Sequence, residues 1–300
     1  MTTVFKHNLS RFVLIGLSLL AFVSCKKSKY DSEYIGLKFD GKKRCYLLHV
    51  PDSYEAATST PLIIALHGGV GSARNIEEQS GLAEFSDEKG FILASPNGHK
   101  RTWNAGWCCG KAAEKEIDDV GFINAMIDEI TGEYNIDENR IYVTGMSNGA
   151  MMSYRLACEL GDRIAAIAPV AGSMVMSDCV WDQSVSVIHF HSFQDASVPH
   201  DGGIGDGISD HYNSPLDSVS LAIASQMSCS MDTVYQDANG VEFWHWSACS
   251  DSSEVMYVIS PDGGHSWPGG AAPYRKADEP SALVNANELM WEFFMRHPKK

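Results

Sequence analysis

One short motif in the chain has the spacing of a serine nucleophile. Residues 145–149 read Gly-Met-Ser-Asn-Gly and place Ser147 between two glycines. Strand-like residues 140–144 precede the motif, and helix-like residues 150–160 follow it up to Gly161. The glycines permit a sharp strand-to-helix turn that exposes the serine in a strained backbone conformation. A serine hydroxyl is a weak nucleophile, so this interpretation requires a base within reach.

The partners that such a serine needs are found in two later loops. Asp195 lies just beyond one predicted strand, and His265 follows the last predicted parallel strand through a Gly-Gly pair. We predict that His265 is the general base and that Asp195 is the acid that holds its imidazole in the right tautomer. Asp201 and Asp206 are rivals for the acid, and the alternative for His265 is an ordinary surface histidine.

A carbonyl that Ser147 attacks develops a negative oxygen, which needs two backbone N–H donors. Asn148 comes directly after the nucleophile and supplies the first donor. The second is expected from the glycine-rich loop at residues 67–71, and we assign it to the Gly69 N–H, because glycines let the backbone approach a substrate oxygen. The alternative is a plain glycine-rich turn.

The elements that must position these residues follow an alternating pattern. Short apolar runs typical of buried parallel strands occur at residues 61–66, 91–95, 140–144, 164–170, 185–190 and 254–259. Helical periodicity covers residues 75–89, 119–134 and 281–297. An antiparallel pair at 35–39 and 44–50 turns at Asp40-Gly41. The pattern predicts an α/β fold: a mostly parallel, doubly wound sheet with antiparallel first strands and helices on both faces.

One long segment, at about residues 200–251, departs from this alternation. It is rich in Gly, Ser and Asp at first, then helical over 218–227, then hairpin-like around Asn239-Gly240. We interpret it as an insertion within a single catalytic domain that spans residues 34–300. Two roles for the insertion stay open: it forms a wall or partial lid over the site, or it is a surface segment without a role in the site.

The first 25 residues have the character of an export signal. Lys6 and Arg11 form a basic start, residues 12–23 are apolar, and Ser24 precedes Cys25. The apolar run is shorter than the roughly 20 residues that span a bilayer. The last residues of this signal, up to Cys25, resemble a bacterial lipobox, so we predict that Cys25 is lipidated. Residues 26–33 would then be a tether, and the lipid would anchor the protein in the periplasm or on the outer membrane. Simple secretion and an uncleaved anchor are the alternatives.

Export places the remaining seven of the eight cysteines in an oxidising compartment. The best single bridge is Cys229 to Cys249, because these cysteines flank the predicted hairpin. Cys158 is our choice for the free thiol, because its helix is expected to be buried. Cys108 and Cys109 are expected to find separate partners, since a bridge between neighbours is strained. The other pairings stay open, and no metal site is predicted.

The formal net charge is −15 at pH 7. Binding to nucleic acid relies on a basic surface, so the charge disfavours a nucleic-acid partner. Neutral or cationic substrates fit such a chain better, and contact with a membrane is expected only through the N-terminal lipid anchor.

Six segments together resemble one family of enzymes. They are residues 66–69 (LHGG), 107–110 (WCCG), 118–122 (DDVGF), 145–149 (GMSNG), 168–172 (APVAG) and 264–270 (GHSWPGG). The chain from about Gly36 onward is similar to the secreted esterases grouped as polyhydroxybutyrate depolymerase-like and feruloyl or acetyl xylan esterase-like. The resemblance implies an α/β-hydrolase fold, a triad of Ser147, Asp195 and His265, and no cofactor. Ser192 departs from it, because the family has glycine there.

The resemblance implies a carboxylic ester substrate, and feruloyl or acetyl esters on plant polysaccharide fragments are preferred. A poly(3-hydroxybutyrate)-type polyester is the alternative, and it is less favoured because no polymer-binding domain is recognised in the sequence. Trp107, Trp267 and His67 are predicted to contact the substrate, although packing roles are as plausible for the tryptophans. Asp118 and Asp119 are interpreted as a helix N-cap and first-turn charge. A peptidase and a non-catalytic binding module complete the alternatives.

Overall fold

A mixed sheet of ten strands forms the centre of the molecule. The computed structural model describes residues 32–181, 185–208, 210–272 and 277–300. The predicted signal and Cys25 lie outside the described residues. The strands are β1 (Glu33–Phe39), β2 (Lys42–His49), β3 (Thr60–Leu66), β4 (Ile92–Pro96), β5 (Ile136–Met146), β6 (Ala166–Val170), β7 (Ser186–Ser192), β8 (Met231–Gln236), β9 (Glu242–Ser247) and β10 (Val255–Ser260). Their order in the sheet is β1-β2-β4-β3-β5-β6-β7-β10-β9-β8.

The central strands are parallel, and antiparallel strands complete both edges. β4, β3, β5, β6, β7 and β10 run parallel to their neighbours in this order. β1 and β2 form the predicted hairpin at one edge, and β2 joins β4 in antiparallel register. The carboxyl ends of the parallel strands therefore meet at one edge of the sheet, where loops can assemble a site.

Helices cover both faces of this sheet. They are α1 (Ala73–Ser80), α2 (Leu82–Lys89), α3 (Gly110–Glu114), α4 (Asp119–Glu133), α5 (Asn148–Glu159), α6 (Leu216–Gln226) and α7 (Ala286–Arg296). Alternate residues of β3 belong to two separate hydrophobic clusters, because successive side chains point to opposite faces of a strand. Leu62 and Ile64 pack in the cluster that includes α4, α5 and α6, whereas Ile63 packs in the one that includes α1, α2 and α7. The predicted doubly wound α/β fold is confirmed.

The helices differ from their predicted bounds in two places. The predicted helix at 75–89 is two helices, because Gly81 adopts φ 68° and ends α1. Such a left-handed residue stops the helical hydrogen-bond ladder, and glycine takes this conformation without strain. The closing helix begins at Ala286, where the Asn285 side chain accepts a hydrogen bond from Glu288 N at 3.3 Å.

Most of the predicted insertion extends the sheet. β8 and β9 form the hairpin expected around Asn239-Gly240, and β9 pairs with β10 in antiparallel register. α6 packs on the face that α4 and α5 cover. Among the described residues of the insertion, Asp206, Gly207, Ile208 and His211 line the cavity beyond the strand ends. The insertion is therefore mainly an edge of the sheet, with one loop that approaches the candidate site.

The disulfides correct two predictions about the cysteines. Cys229 and Cys249 are bridged as predicted. Cys158 is bonded to Cys179 and is not a free thiol, because it lies half-buried on the last turn of α5, with its Cα 5.5 Å from that of Cys179. Cys108 and Cys109 are bonded to each other, and the peptide bond between them is cis. The prediction that these two neighbours have separate partners is therefore wrong.

The last cysteine among the described residues is outside these bridges. The Sγ of Cys45 accepts a hydrogen bond from Asn97 Nδ2 at 3.5 Å. Across the described ranges, the helices are too short or too polar to traverse a bilayer.

Candidate active site

Ser147 occupies the sharp turn between β5 and α5. Its backbone has φ 56° and ψ −120°, a conformation that is strained for any residue but glycine. A side chain at Gly149 would collide with the Leu66 carbonyl, and one at Gly145 would collide with the backbone of Gly149. The two glycines are therefore required for the close approach of α5 to β3 and β5, and this approach holds the serine at the strand ends.

Asp195 and His265 meet at the ends of β7 and β10. Asp195 Oδ2 lies 2.8 Å from His265 Nδ1, and Oδ1 accepts hydrogen bonds from Ser197 N at 2.9 Å and Val198 N at 2.8 Å. The Asp195 side chain is fully buried, whereas 19% of the His265 side chain is exposed. His265 lines the same cavity as Ser147. The three predicted residues thus lie on neighbouring loops.

The two rivals for the acid lie elsewhere. Asp201 is exposed and forms an ion pair with His200 at 3.1 Å. Asp206 accepts a hydrogen bond from Ser197 Oγ at 3.1 Å and lies at the cavity wall. Neither contacts the ring of His265 within hydrogen-bond distance, so Asp195 is the carboxylate that the structure places on Nδ1.

The pKa values of this pair shift in opposite directions. Burial by itself would lower the pKa of His265, but the hydrogen bond and charge of Asp195, together with the charges of Asp278 and Asp206, raise it above the ordinary histidine value. Burial would raise the pKa of Asp195, but the hydrogen bond from His265 and the nearby imidazoles lower it. The pair therefore stabilises a protonated His265 beside an ionised Asp195.

The glycine loop that follows β3 lies against the nucleophile. A Cβ on Gly68 would stand 3.4 Å from Ser147 Cβ, and the next residue, Gly69, lies beside Asn148 and Ile208. Asn148 begins α5, and its side chain is tied to Trp103: Trp103 N donates to Oδ1 at 2.7 Å, and Nδ2 donates to Trp103 O at 3.1 Å. Both predicted oxyanion donors thus flank Ser147.

His67 lines the cavity, but the backbone engages both of its ring nitrogens. Nδ1 lies 2.7 Å from Gly68 O and must carry the proton, because a carbonyl oxygen only accepts. Nε2 accepts from Gly98 N at 3.0 Å. Burial lowers the pKa of His67 to about 4, so its ring is neutral. Through these two bonds His67 helps to shape the glycine loop, and its role in substrate binding stays a prediction.

The two tryptophans that were predicted to contact substrate are not among the described residues that line the cavity. Trp267 is 1% exposed, packs in the core with α7 and donates from Nε1 to Asn287 Oδ1 at 2.9 Å. Its burial contradicts a stacking role. Trp107 is 47% exposed, and its Nε1 donates to Tyr212 O at 3.1 Å. It joins the insertion loop to the loop before α3.

A cavity of about 640 Å³ opens above Ser147. Its lining includes the polar side chains of Asn75 and Gln79 of α1. It also includes Cys109 and Met151, whose sulfur atoms are 4.0 Å apart. A cavity lined by both polar and apolar side chains suits a substrate that has both polar and apolar parts.

Several residues around the cavity were missed by the sequence reasoning. Asp278 accepts a hydrogen bond from His265 N at 2.7 Å, although it lies in a stretch with no motif. Ile208 comes from the insertion. The polar positions of α1 were the one available signal, because a helix that follows a glycine loop near the nucleophile faces the site.

One group of side chains in the described ranges has the spacing of metal ligands. The sulfur atoms of Cys108 and Cys109 and a ring nitrogen of His211 lie within 4.8 Å of one another. The two sulfurs are bonded to each other, so neither is the thiolate that binds zinc. The group does not fit a metal site in this state.

Comparison with solved structures defines the class of protein. An acetyl xylan esterase from Aspergillus awamori superimposes with a TM-score of 0.60 at 15% identity, over 88% of this chain and 99% of that one. A thermostable esterase superimposes with a TM-score of 0.57 at 17% identity, over 90% of this chain and 64% of that one. At these identities the likeness concerns the fold, which is that of an α/β-hydrolase.

Comparison of sequences then gives the family. Residues 44–197 match the family model described as esterase PHB depolymerase. The protein named esterase NocK of Nocardia uniformis subsp. tsuyamanensis is 30% identical over 255 residues, which are 79% of this chain and 74% of that protein. Feruloyl esterase C of Emericella nidulans is 26% identical over 84% of each chain. The chain belongs to the esterase PHB depolymerase family and is a carboxylic ester hydrolase.

Proposed function

We propose that the chain is a serine esterase in which Ser147 is the nucleophile, His265 the general base and Asp195 the acid that orients it. One observation carries the proposal: Asp195 holds the Nδ1 of His265 at 2.8 Å, on a loop that shares a cavity with the strained Ser147. Because Nδ1 donates to a carboxylate, Nε2 is left with a lone pair that can take a proton.

The proposed reaction has two halves. Ser147 Oγ attacks the ester carbonyl carbon and gives its proton to His265 Nε2, while the N–H groups of Gly69 and Asn148 hold the oxyanion. Collapse of the tetrahedral intermediate breaks the ester bond, and His265 returns the proton to the leaving alcohol. Water then attacks the acyl-enzyme, again with His265 as base, and releases the carboxylic acid together with free Ser147.

We propose feruloyl or acetyl esters on plant polysaccharide fragments as substrates. By their names, feruloyl esterase C of Emericella nidulans acts on feruloyl esters and the enzyme of Aspergillus awamori acts on acetyl xylan. The polar side chains of Asn75 and Gln79 in the cavity lining support binding of sugar hydroxyls. The apolar side chains of Met151 and Ile208 in the same lining suit an aromatic acyl group.

The proposed enzyme is a single catalytic domain from residue 34 onward, exported and held at a membrane through a lipid on Cys25. The basic and apolar start of the chain and the lipobox-like end support this localisation. The bridges Cys158–Cys179 and Cys229–Cys249 suit an oxidising compartment.

The experiment that tests the function compares hydrolysis of methyl ferulate, p-nitrophenyl acetate and short 3-hydroxybutyrate oligomers. The purified chain is assayed beside Ser147→Ala, which we expect to lose activity by a factor of about 10³ or more because the triad acts as a unit. Preference for methyl ferulate or the acetate supports the proposed substrates. Preference for the hydroxybutyrate oligomers supports the polyester alternative, which the family description favours.

The control for the nucleophile is Ser153→Ala. Ser153 is buried in α5 and donates to Gly149 O at 2.9 Å, so it tests the removal of a nearby hydroxyl that is not at the strand end. It should retain activity. Equal rates for the wild type and Ser147→Ala would overturn the proposed nucleophile.

A further inference from the structure

Four buried side chains form a continuous hydrogen-bonded chain behind the candidate acid. Tyr257 of β10 and Tyr154 of α5 have their hydroxyl oxygens 2.8 Å apart. Tyr154 Oη lies 2.9 Å from His189 Nδ1, and His189 Nε2 lies 3.1 Å from His191 Nδ1. Each of the four residues is at most 2% exposed. None of them is used by the mechanism proposed above.

The far end of this chain fixes the position of every proton in it. His191 Nε2 lies 2.8 Å from Val198 O, which can only accept, so Nε2 carries the proton. Burial lowers the pKa of His189 and His191, so each ring holds one proton. His191 Nδ1 must then accept from His189 Nε2–H, and His189 Nδ1 must accept from Tyr154. The remaining hydroxyl, of Tyr257, donates to Tyr154 Oη.

The proton on His191 Nε2 lies next to Asp195. His191 Nε2 is 3.5 Å from Asp195 Oδ2, as well as 2.8 Å from Val198 O. Val198 N and Ser197 N in turn donate to Asp195 Oδ1. If the ring of His191 presented a lone pair here instead, it would face a carbonyl and a carboxylate and push both away. The direction of the chain therefore decides whether residues 195–198 are held or displaced.

We infer that His191 is a positioning residue for the Asp195–His265 pair and that Tyr154 and His189, by donating along the chain towards His191 Nδ1, stabilise the tautomer that keeps its proton on Nε2. The inference rests on the role proposed for Asp195. His191 touches neither substrate nor the reacting atoms. It holds the turn whose N–H groups bind Asp195 Oδ1, and this leaves Oδ2 aligned on His265 Nδ1 at 2.8 Å. His189 lies stacked between His191 and Tyr257, with ring centroids 5.3 and 4.6 Å away.

Two tyrosine variants of the full chain separate the effect of the hydrogen bond to His189 from the effect of removing a buried hydroxyl. Tyr154→Phe and Tyr257→Phe each remove one buried hydroxyl from the same cluster, but only Tyr154 donates to His189. We expect Tyr154→Phe to lower kcat by about tenfold and to change KM by no more than about twofold, because displacing a catalytic group by 1 Å can lower the rate by up to about 100-fold. We expect Tyr257→Phe to keep both kcat and KM within about twofold of the wild type. Equal kcat values for the two variants would overturn the inference.

Substitution of His191 provides the rescue test. His191→Phe keeps an aromatic ring but donates nothing, and we expect kcat to fall by about 30- to 100-fold with KM nearly constant. His191→Gln restores an amide donor near the Nε2 position. It should recover about a third or more of the decrease in log kcat that His191→Phe causes. No recovery in a folded His191→Gln protein would contradict the role of the donor.

A spectroscopic measurement on the wild type decides the matter if these variants do not fold. In ¹⁵N-histidine NMR spectra, His189 and His191 should both carry their proton on Nε2, and a proton on Nδ1 of either ring would overturn the inference. Ser147→Ala distinguishes the two levels of failure. If Ser147→Ala is as active as the wild type, the proposed function fails, whereas full activity of a folded His191→Phe beside an inactive Ser147→Ala overturns the inference alone.

Discussion

Three carboxylates act on the single imidazole of His265. Asp195 binds Nδ1, Asp278 accepts the backbone N–H at 2.7 Å, and Asp206 lies across the cavity. Burial lowers the pKa of His265, but these three carboxylates outweigh burial and raise it above the ordinary histidine value. The proposed general base, His265, must be neutral to accept a proton, so these charges are expected to set how far into the acidic range the enzyme can work.

The charge of Asp278 can be removed with little change of shape. Asp278→Asn keeps an oxygen that can accept from His265 N, but it removes one of the charges that favour the protonated ring. The pKa of His265 should fall, so the acidic limb of the kcat/KM profile should move to lower pH. Glu138→Gln, an exposed carboxylate at the other end of β5, should leave the profile in place. A limb that stays fixed or moves upward in Asp278→Asn would contradict this account.

At the scale of elements, a buried ion pair connects three parts of the molecule near the site. Arg44 Nη2 of β2 lies 2.7 Å from Asp119 Oδ1 of α4 and 3.2 Å from Asn97 O. Asp119 Oδ2 accepts from Asn104 N at 2.9 Å. The pair therefore fixes the loop that carries Trp103, which in turn binds the side chain of Asn148. The sequence indicated a first-turn charge at Asp119, but its partner 75 residues away was not visible.

Loss of Asp119 should cost far more stability than loss of its neighbour. Asp119→Ala leaves the Arg44 guanidinium buried and unpaired, and we expect a decrease of about 3–5 kcal/mol in the free energy of unfolding. Asp118→Ala removes only the cap of α4, a hydrogen bond to Gly121 N, and should cost about 1 kcal/mol. Urea titration of both variants measures the difference in the free energy of unfolding. Similar unfolding midpoints would refute the large contribution that we assign to the Arg44–Asp119 ion pair.

The elements that could be predicted from sequence are those with a local signal. The parallel strands appear as apolar runs, and the residues at 147, 195 and 265 follow from a turn motif and from loops at strand ends. The remainder depends on contacts between distant segments. Gly81 could have been a tolerated glycine within one helix, the β8–β9 hairpin could have been a lid, and Trp267 could have faced either the cavity or the core. Sequence periodicity does not distinguish these outcomes.

At the scale of the whole molecule, one buried acid makes stability depend on pH. Glu77 of α1 is 0% exposed, and its Oε2 accepts from Ser32 Oγ at 3.1 Å. Burial raises its pKa from 4.5 to about 7. The folded chain therefore holds this proton more tightly than the unfolded chain does. Stability from this group is full below pH 4.5 and is lost as the pH rises towards 7.

The variant Glu77→Gln should be more stable than the wild type above neutral pH and should lose this pH dependence. The shift in the pKa of Glu77 corresponds to a gain on the order of 3 kcal/mol at pH 8, and to almost none near pH 4.5. Thermal unfolding at both pH values measures it. Glu78→Gln is the matched control, because that neighbouring side chain is exposed. An equal gain at both pH values would show that the effect is not ionisation.

The carboxylates that line the cavity also bear on the end of each reaction cycle. Hydrolysis converts a neutral ester into an acid that loses its proton at neutral pH. In the proposed reaction a new anion thus arises in a cavity whose lining includes Asp206 and Asp278, together with Arg101, which donates its Nε–H to Gly71 O. Because the two carboxylates outnumber this one guanidinium, we expect the acid to bind more weakly than the ester did, so that accumulated acid inhibits the enzyme only weakly.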